Sequence, residues 1–280
     1  ADQTDKIHAA IEKLASGETS YKVDVNDFSS LEAELAEGLN RISDGLETAL
    51  AEQVKSERLK ADLITNVSHD IKTPLTSIIN YVDLIKRQHI EDPTVQKYLE
   101  VLDQKSQRLK TLTEDLVEAS RASSGNIKLE ITNIDFVELV QQTTGEFEEK
   151  YAIRHLEIVN TLPNEVIMIE ADGRRLWRVL ENLYNNAFKY ALEGTRVYVT
   201  IEDHGADVVF TIKNVSANPL NISPDELTER FVRGDVSRTT EGSGLGLSIA
   251  KDLTTLQGGK FELIIDGDLF KAQITFPIKN

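Results

Sequence analysis

The chain has no cysteine in its 280 residues, which excludes disulfides and thiolate metal sites and fits a reducing compartment. No apolar run approaches the roughly 18 residues that a bilayer-crossing helix needs. The sequence starts at Ala1 without Met and contains neither a signal peptide nor a targeting segment, and we expect a soluble piece cut from something longer. Positive charge is scarce: 31 Lys and Arg face 47 Asp and Glu, a net charge of −16. That balance disfavours nucleic-acid and anionic-membrane partners, which call for basic patches. Only six prolines occur, and neither proline nor glycine interrupts the chain between residue 50 and His69.

What remains is a long helical pattern followed by a change of texture. Ile7, Ile11 and Leu14 recur at helical spacing up to Gly17, a helix stop. Tyr21, Val23 and Val25 alternate with polar residues in an extended connector, and Asp27 or Ser29 can cap the next helix. Leu31, Leu35, Leu39, Ile42, Leu46 and Leu50 then mix steps of three and four, the seam of a coiled coil or bundle. Residues 31–88 read as one nearly continuous rod. After a turn at 89–93, Tyr98, Leu102, Lys105, Leu109, Leu112 and Leu116 mark a second arm. Each arm of this hairpin has one apolar stripe, so pairing two copies as a four-helix bundle would bury what one leaves open. We therefore expect a homodimer.

One residue of the rod does not fit a structural role. Leu63, Val67, Ile71, Leu75, Ile78, Val82 and Ile85 share a stripe, and at about 100° per residue His69 lies nearly opposite its centre. Asp70 follows it and Thr73 stands one turn above. A solvated surface histidine is the ordinary reading. Pro74 speaks against it, because an internal proline removes a hydrogen bond and crowds the carbonyl of Asp70. We expect a kink there, one turn past an exposed His-Asp pair.

Beyond Ser123-Ser124-Gly125, strand patterns (128–132, 156–160, 166–170, 196–202, 208–213, 260–265 and 270–276) alternate with helical ones (135–150, 172–191 and 245–256). This reads as a two-layer α/β domain. Residues 218–243 carry little pattern, and so long a loop in a compact domain is usually functional. Three features here point to a phosphate ligand. Gly242-Ser243-Gly244-Leu245-Gly246-Leu247 precedes a helix, where glycines admit phosphate to backbone N–H groups and the helix dipole favours anions; alone the signal is weak. Arg230, Arg233, Arg238 and Lys251 gather around the loop, though a solvated basic face would look the same. Asn182, Asn186 and Lys189 share one helix face. Amide oxygens suit a hard cation such as Mg²⁺ that keeps water and phosphate in its shell. Asparagine is a poor helix former, so three between 182 and 186 require a reason.

Taken together these motifs resemble the sensor histidine kinases of two-component signalling. Residues 68–75, Ser-His-Asp-Ile-Lys-Thr-Pro-Leu, are similar to the family's phospho-acceptor box. Residues 182–190 resemble its N box, Arg230-Phe231-Val232-Arg233-Gly234 its F box, and residues 242–247 its second glycine box. Residues 7–55 resemble, more weakly, a HAMP module. The resemblance implies a multidomain chain: an all-α coiled coil and dimeric four-helix bundle, then a two-layer α/β sandwich that binds ATP. The expected domains are 1–55 (HAMP-like), 56–122 (dimerisation and phosphotransfer hairpin) and 123–280 (ATP-binding).

The same resemblance implies that His69 takes the γ-phosphoryl group of ATP with Asp70 as orienter and base, and passes it to a response-regulator receiver domain. Thr73 would position water when the regulator is dephosphorylated. Asn186 would ligate Mg²⁺. Asn182, Lys189, Tyr190, Asn214, Arg230, Phe231, Arg233 and residues 242–247 would contact nucleotide. The full-length protein would be anchored upstream of residue 1, placing this cytoplasmic portion beneath an inner or plasma membrane.

One position departs from the family. Its first glycine box has the form Asp-x-Gly-x-Gly, and here residues 214–218 read Asn-Val-Ser-Ala-Asn. Asn214 can still accept a hydrogen bond from adenine, without the added strength of a carboxylate. Two rival readings are a nucleotide-binding scaffold whose output is phosphatase control through Thr73, and an ATP domain of chaperone or topoisomerase type. The second leaves the His69 hairpin without a purpose.

Overall fold

A computed structural model of the chain describes residues 3–88, 90–228 and 244–279, and it divides into two compact units, Ala1–Leu63 and Ile64–Asn280. Helix α2 (Ser30–Lys86) supplies its first part to one and its last part to the other.

In the first unit, α1 (Gln3–Ala15) stops at Gly17, whose φ of 98° is the left-handed geometry glycine supplies without strain. The connector does not run free. Asn40 on α2 accepts from the Val23 N–H at 2.9 Å and donates to the Val23 carbonyl at 2.9 Å, while the Ser43 hydroxyl donates to the carbonyls of Thr19 and Tyr21. Ser29 is the residue before α2, as expected of a cap. The buried apolar core is small, with Ala10, Val23 and Ala36 at its centre. Leu31, Leu35, Ile42, Leu46 and Leu50 of the predicted seam are exposed on the single chain.

The second unit opens with the hairpin. Helix α2 continues through Pro74 as one helix, and around it the hydroxyls of Thr76 and Ser77 donate back to the carbonyls of Lys72 (2.8 Å) and Thr73 (3.3 Å). Helix α3 (Pro93–Ser123) starts with Pro93 after Asp92, whose carboxylate accepts from the N–H groups of Thr94 and Val95. Lys86 reaches across to Asp103 at 2.7 Å. The predicted stripes divide in two. Leu75 and Val82 are buried, whereas Val67, Ile71, Ile78 and Ile85 are exposed. On α3, Leu99 and Ser106 are buried, and Tyr98, Leu102 and Leu109 are not. A lone hairpin covers only the edge of each stripe that faces its own second arm.

The α/β part holds a five-stranded sheet ordered β2 (Glu157–Thr161), β4 (Arg196–Asp203), β5 (Asp207–Val215), β7 (Leu269–Pro277), β6 (Lys260–Asp266). Among the described residues the β2–β4 pair is parallel and the other pairs of this sheet are antiparallel. A small antiparallel pair, β1 (Thr132–Asp135) with β3 (Met168–Ala171), stands beside it. Alternate residues on the three central strands are buried, among them Val197, Val199, Phe210, Ile212, Ala272 and Ile274, the period of a sheet covered on one face. The cover is α4 (Phe136–Ala152), α5 (Gly173–Tyr190) and α7 (Gly246–Leu256), whose Val140, Leu180 and Ile249 join the same core. Gly259 is required after α7, because a Cβ there would lie 2.8 Å from the Phe276 ring.

Two expectations need correction. The strand expected at 128–132 forms instead at Thr132–Asp135: the Glu130 N–H is taken by the Asp172 carboxylate at 2.9 Å, so that stretch is tied to a helix end and not to a strand ladder. The loop at 218–243 contains a short helix, α6 (Pro224–Thr228), started by a reciprocal Ser223–Glu226 capping box.

Candidate active site

His69 lies where the periodicity put it. Its side chain is 81% exposed and that of Asp70 84%, with His69 Nδ1 3.6 Å from Asp70 Oδ1. The neighbouring Ser68 is buried, so α2 turns its small residue inward and its titratable pair outward. Thr73 Oγ1 is 3.5 Å from the His69 carbonyl oxygen, the limit of a hydrogen bond. Beside them runs a groove of about 330 Å³ lined by His69, Lys72 and Thr76 of α2, Lys110 and Glu114 of α3, and Arg175 of α5.

The second cluster forms at the far end of α5. Asp172 begins this helix by accepting from the N–H groups of Arg174 and Arg175, both at 3.1 Å. Burial disfavours its charge, but the N–H groups of Glu130, Arg175 and Arg174 hold its carboxyl below the ordinary aspartate value. Its own N–H donates to Gln257, at the end of α7. At the other terminus, the Arg154 guanidinium donates to the carbonyls of Phe188, Lys189 (3.0 Å) and Ala191 (2.9 Å), closing the last turn. No sequence pattern marked Arg154 for this task.

Between these ends, α5 presents the predicted residues. Asn185 is bound by Lys150 Nζ at 2.6 Å, which accounts for one of the three asparagines. Asn182 and Asn186 are half-buried, and Lys189 Nζ sits 4.8 Å from the Tyr190 ring centre. Gly246 opens α7 directly against Asn182: a Cβ there would stand 3.4 Å from Asn182 Oδ1. The N-cap residue of α7, Leu245, makes no side-chain cap bond, and Gly244 (φ 71°) precedes it with Gly246 and Leu247 opening the helix. Asn214 lies near the end of β5, which runs out beside the last turn of α5. The Leu192 N–H donates to Val215 O at 2.8 Å, and the Ala217 N–H to Tyr190 O at 2.8 Å. Lys251 turns to Thr228 Oγ1 at 3.3 Å. Arg230, Phe231, Arg233, Arg238, Gly242 and Ser243 lie outside the described residues.

Among the described residues, two buried side-chain polar atoms have no hydrogen-bond partner: Asn182 Nδ2 and Asn214 Oδ1. Buried polar atoms are nearly always satisfied. Both of these belong to the constellation read from sequence, and their unmet valences fit a ligand that brings its own donors and acceptors.

An ion-pair cluster missed by sequence reading joins the hairpin to α5. Arg178 contacts Asp115 (2.6 Å), Glu118 (2.8 Å) and Glu181 (2.6 Å), and Arg175 contacts Glu118 at 3.3 Å. Burial alone would lower the Arg178 pKa, but the Glu118 and Glu181 carboxylates raise it above its usual value. Asn186 lies along α5 from Arg175 by about 16 Å, and none of Asn182, Asn186 and Lys189 lines the His69 groove.

The hairpin and the α/β part each match a known family. Residues 59–125 match the His Kinase A (phospho-acceptor) domain, and residues 171–279 the histidine kinase-, DNA gyrase B- and HSP90-like ATPase. The class is thus a phospho-acceptor hairpin joined to an ATPase domain. The chain belongs to the sensor histidine kinases of two-component signalling. It is similar to the sensor histidine kinase WalK of Bacillus subtilis (strain 168), 28% identical over 237 residues, covering 82% of this chain and 39% of WalK. Full-length ShkA in complex with AMPPNP shares the fold, with TM-score 0.68, 22% identity, and coverage of 78% of this chain and 46% of that one. The histidine kinase ThkA in complex with the response regulator protein TrrA aligns with TM-score 0.56 and 25% identity, over 84% of this chain and 67% of that one. The chain spans less than half the length of the first curated relatives it matches, 39% and 44%.

Proposed function

We propose that this chain is the catalytic part of a sensor kinase that phosphorylates His69 from Mg-ATP and passes the phosphoryl group to a response-regulator aspartate. The observation that carries this reading is the pairing of a solvent-facing His69 with two orphaned amide atoms in a domain of ATPase type.

In the first step, the lone pair of His69 Nε2 forms the N–P bond as the bond from the γ-phosphorus to the bridging oxygen breaks and leaves with ADP. Asp70 takes the proton from Nδ1; the 3.6 Å between them closes with a change of side-chain torsion. Asn182 and backbone N–H groups at the start of α7 would hold phosphate oxygens, with Lys189, Arg230 and Arg233 neutralising charge. Asn214 and Tyr190 would take the base side, and Phe231 and residues 242–247 would complete the enclosure. Mg²⁺, when bound, would offset charge on the transferring phosphoryl group, with Asn186 as its protein ligand. Among the described residues no group of three His, Asp or Glu could hold a metal by itself, so nucleotide phosphates would supply most of that shell.

In the second step, a receiver-domain aspartate displaces His69 from phosphorus and the proton returns to the imidazole. That a kinase of similar fold, ThkA, is seen with the response regulator TrrA supports this partner class. Thr73, one turn from His69, would align water for the reverse task of dephosphorylating the regulator. The exposed faces of α2 and α3 support a homodimer. Residues 1–55 would act as a HAMP-like input segment, 56–122 as the hairpin and 123–280 as the ATP-binding domain, in the cytoplasmic part of a membrane-anchored sensor. Because Asn182, Asn186 and Lys189 do not line the His69 groove, transfer would require the ATP domain to dock anew on the hairpin.

Incubation with γ-labelled ATP and Mg²⁺ should give acid-labile label that moves to a receiver domain and is absent from His69→Gln. Undiminished label on His69→Gln would overturn the proposal.

A further inference from the structure

The groove beside His69 is charged against the character of the chain. Lys72, Lys110, Arg121 and Arg175 line it against two carboxylates, Glu114 and Glu118, in a protein of net charge −16. Three helices supply these cations: Lys72 stands three residues after His69 on α2, Lys110 and Arg121 belong to α3, and Arg175 to α5 of the ATP domain. Among the described residues, Lys72, Lys110 and Arg121 make no ion pair. Glu118 has a closer partner in Arg178, at 2.8 Å, than in Arg175, at 3.3 Å. One nitrogen of the Arg175 guanidinium makes that contact, which leaves it further donors in a planar fork that suits phosphate oxygens.

A surplus of cations gathered in one groove calls for an anion. One is at hand. His69 lines the same groove, and on the reading proposed above, on which this inference rests, it acquires a phosphoryl group carrying up to about two negative charges. Asp70, 3.6 Å from Nδ1, repels such a group from its own side of the ring. Leu75 and Val117 also line the groove, and apolar walls keep the attraction between opposite charges stronger than it is in open water.

We propose that this groove is a resting site for the phosphoryl group of phospho-His69, and that Lys110 of α3 and Arg175 of α5 hold it there. Because Arg175 sits on the ATP domain, the phosphoryl group ties that domain to the hairpin. Asn186 then stays about 16 Å along α5 from the held group, too far for ADP at the nucleotide site to take it back. The groove thus guards the phosphorylated state against reversal.

Phosphoramidate tests this without ATP: its P–N bond breaks, the phosphoryl group passes to an imidazole nitrogen, and the imidazole proton leaves with ammonia. The full chain is treated in this way, its phosphohistidines are assigned by mass spectrometry, and their phosphoryl groups are titrated by ³¹P NMR. Nearby cations favour the dianion, so the phospho-His69 pKa should rise by about half a pH unit or more in Lys110→Ala and in Arg175→Ala. Lys110→Arg should restore the unaltered value. Lys97→Ala, roughly 20 Å along α3 from Lys110, should leave it in place, and phospho-His8 and phospho-His204, outside the groove, should not move in any variant. In the unaltered chain, phosphorylation should slow hydrogen exchange at the start of α5, a readout that needs no variant to fold. The same pKa in Lys110→Ala as in the unaltered chain would overturn the site, and exchange in α5 that ignores phosphorylation would overturn the tie to the ATP domain. Failure of ATP to label His69, with the phosphoramidate results as expected, would instead overturn the kinase reading and leave the groove's hold on phosphoryl standing.

Discussion

The ATP domain and the hairpin differ in how far each covers its own apolar residues. In the domain, Leu176, Val179, Leu180, Phe210, Ile249 and Ile274 are at most 1% exposed around one continuous core. In the hairpin, Ile71, Ile78, Leu84 and Ile85 on α2 and Tyr98, Leu102 and Leu109 on α3 are 40 to 68% exposed. Exposed apolar residues along both arms of one element call for a partner surface. On the proposed reading, the domain closes its core within one chain, and the hairpin's exposed stripes would be covered by a second copy. If the hairpin pairs in this way, helix packing could regulate the proposed kinase without disturbing the fold of the ATP domain.

Four substitutions would break or sharpen that contrast. The largest effect is expected from Ile78→Asp, which two-fold symmetry introduces twice; removing two isoleucines that the proposed dimer would bury costs roughly 3–6 kcal/mol of dimer stability. Sedimentation velocity should show monomers at concentrations where the unaltered chain is dimeric, with the melting of the ATP domain unmoved. Leu180→Ala should do the opposite. It removes about 2–5 kcal/mol from the ATP domain through a cavity in a closed core, and its melting should not depend on protein concentration.

Arg178→Ala probes the joint between the two regions. It deprives Glu118 and Glu181 of the guanidinium they share, at a cost of roughly 3 kcal/mol if the cluster is as water-excluded as its 12 to 25% side-chain exposures indicate. Hydrogen exchange should rise in α3 and at the start of α5 and stay unchanged in the central strands. The smallest effect is expected from Asp172→Asn, about 1 kcal/mol at neutral pH. Because the folded pKa of Asp172 lies below its unfolded value near about 4, its contribution is present above that value. It is lost as pH falls through the lower folded pKa. Urea titrations between pH 3 and 7 should show a shallower loss of stability at the acid end for the variant.

Much of this architecture could be read from spacing alone. The helix ranges 135–150, 172–191 and 245–256 correspond to α4, α5 and α7 within a residue or two, because Asp135 and Asp172 cap helices with strong apolar periodicity. His69 was legible because a polar residue opposite an apolar stripe must face water. Less legible was whatever depends on contacts distant in sequence. Arg154 closes α5 from 34 or more residues away, and Arg178 meets Glu118 across 60. Neither leaves a local pattern. The capping box at Ser223 and Glu226 was visible in principle, but the five-residue helix it starts has no periodicity to announce it. The division of the hairpin stripes was hidden for another reason: periodicity marks which residues are apolar, and not which of two partners covers them.

The destination of the phosphoryl group is the most direct test of a kinase built this way. After incubation with Mg-ATP, mass spectrometry under neutral conditions, together with ³¹P NMR, should find a single phosphorylated residue, His69, bonded through Nε2. Phosphate on any other side chain, with His69 unmodified, would contradict it.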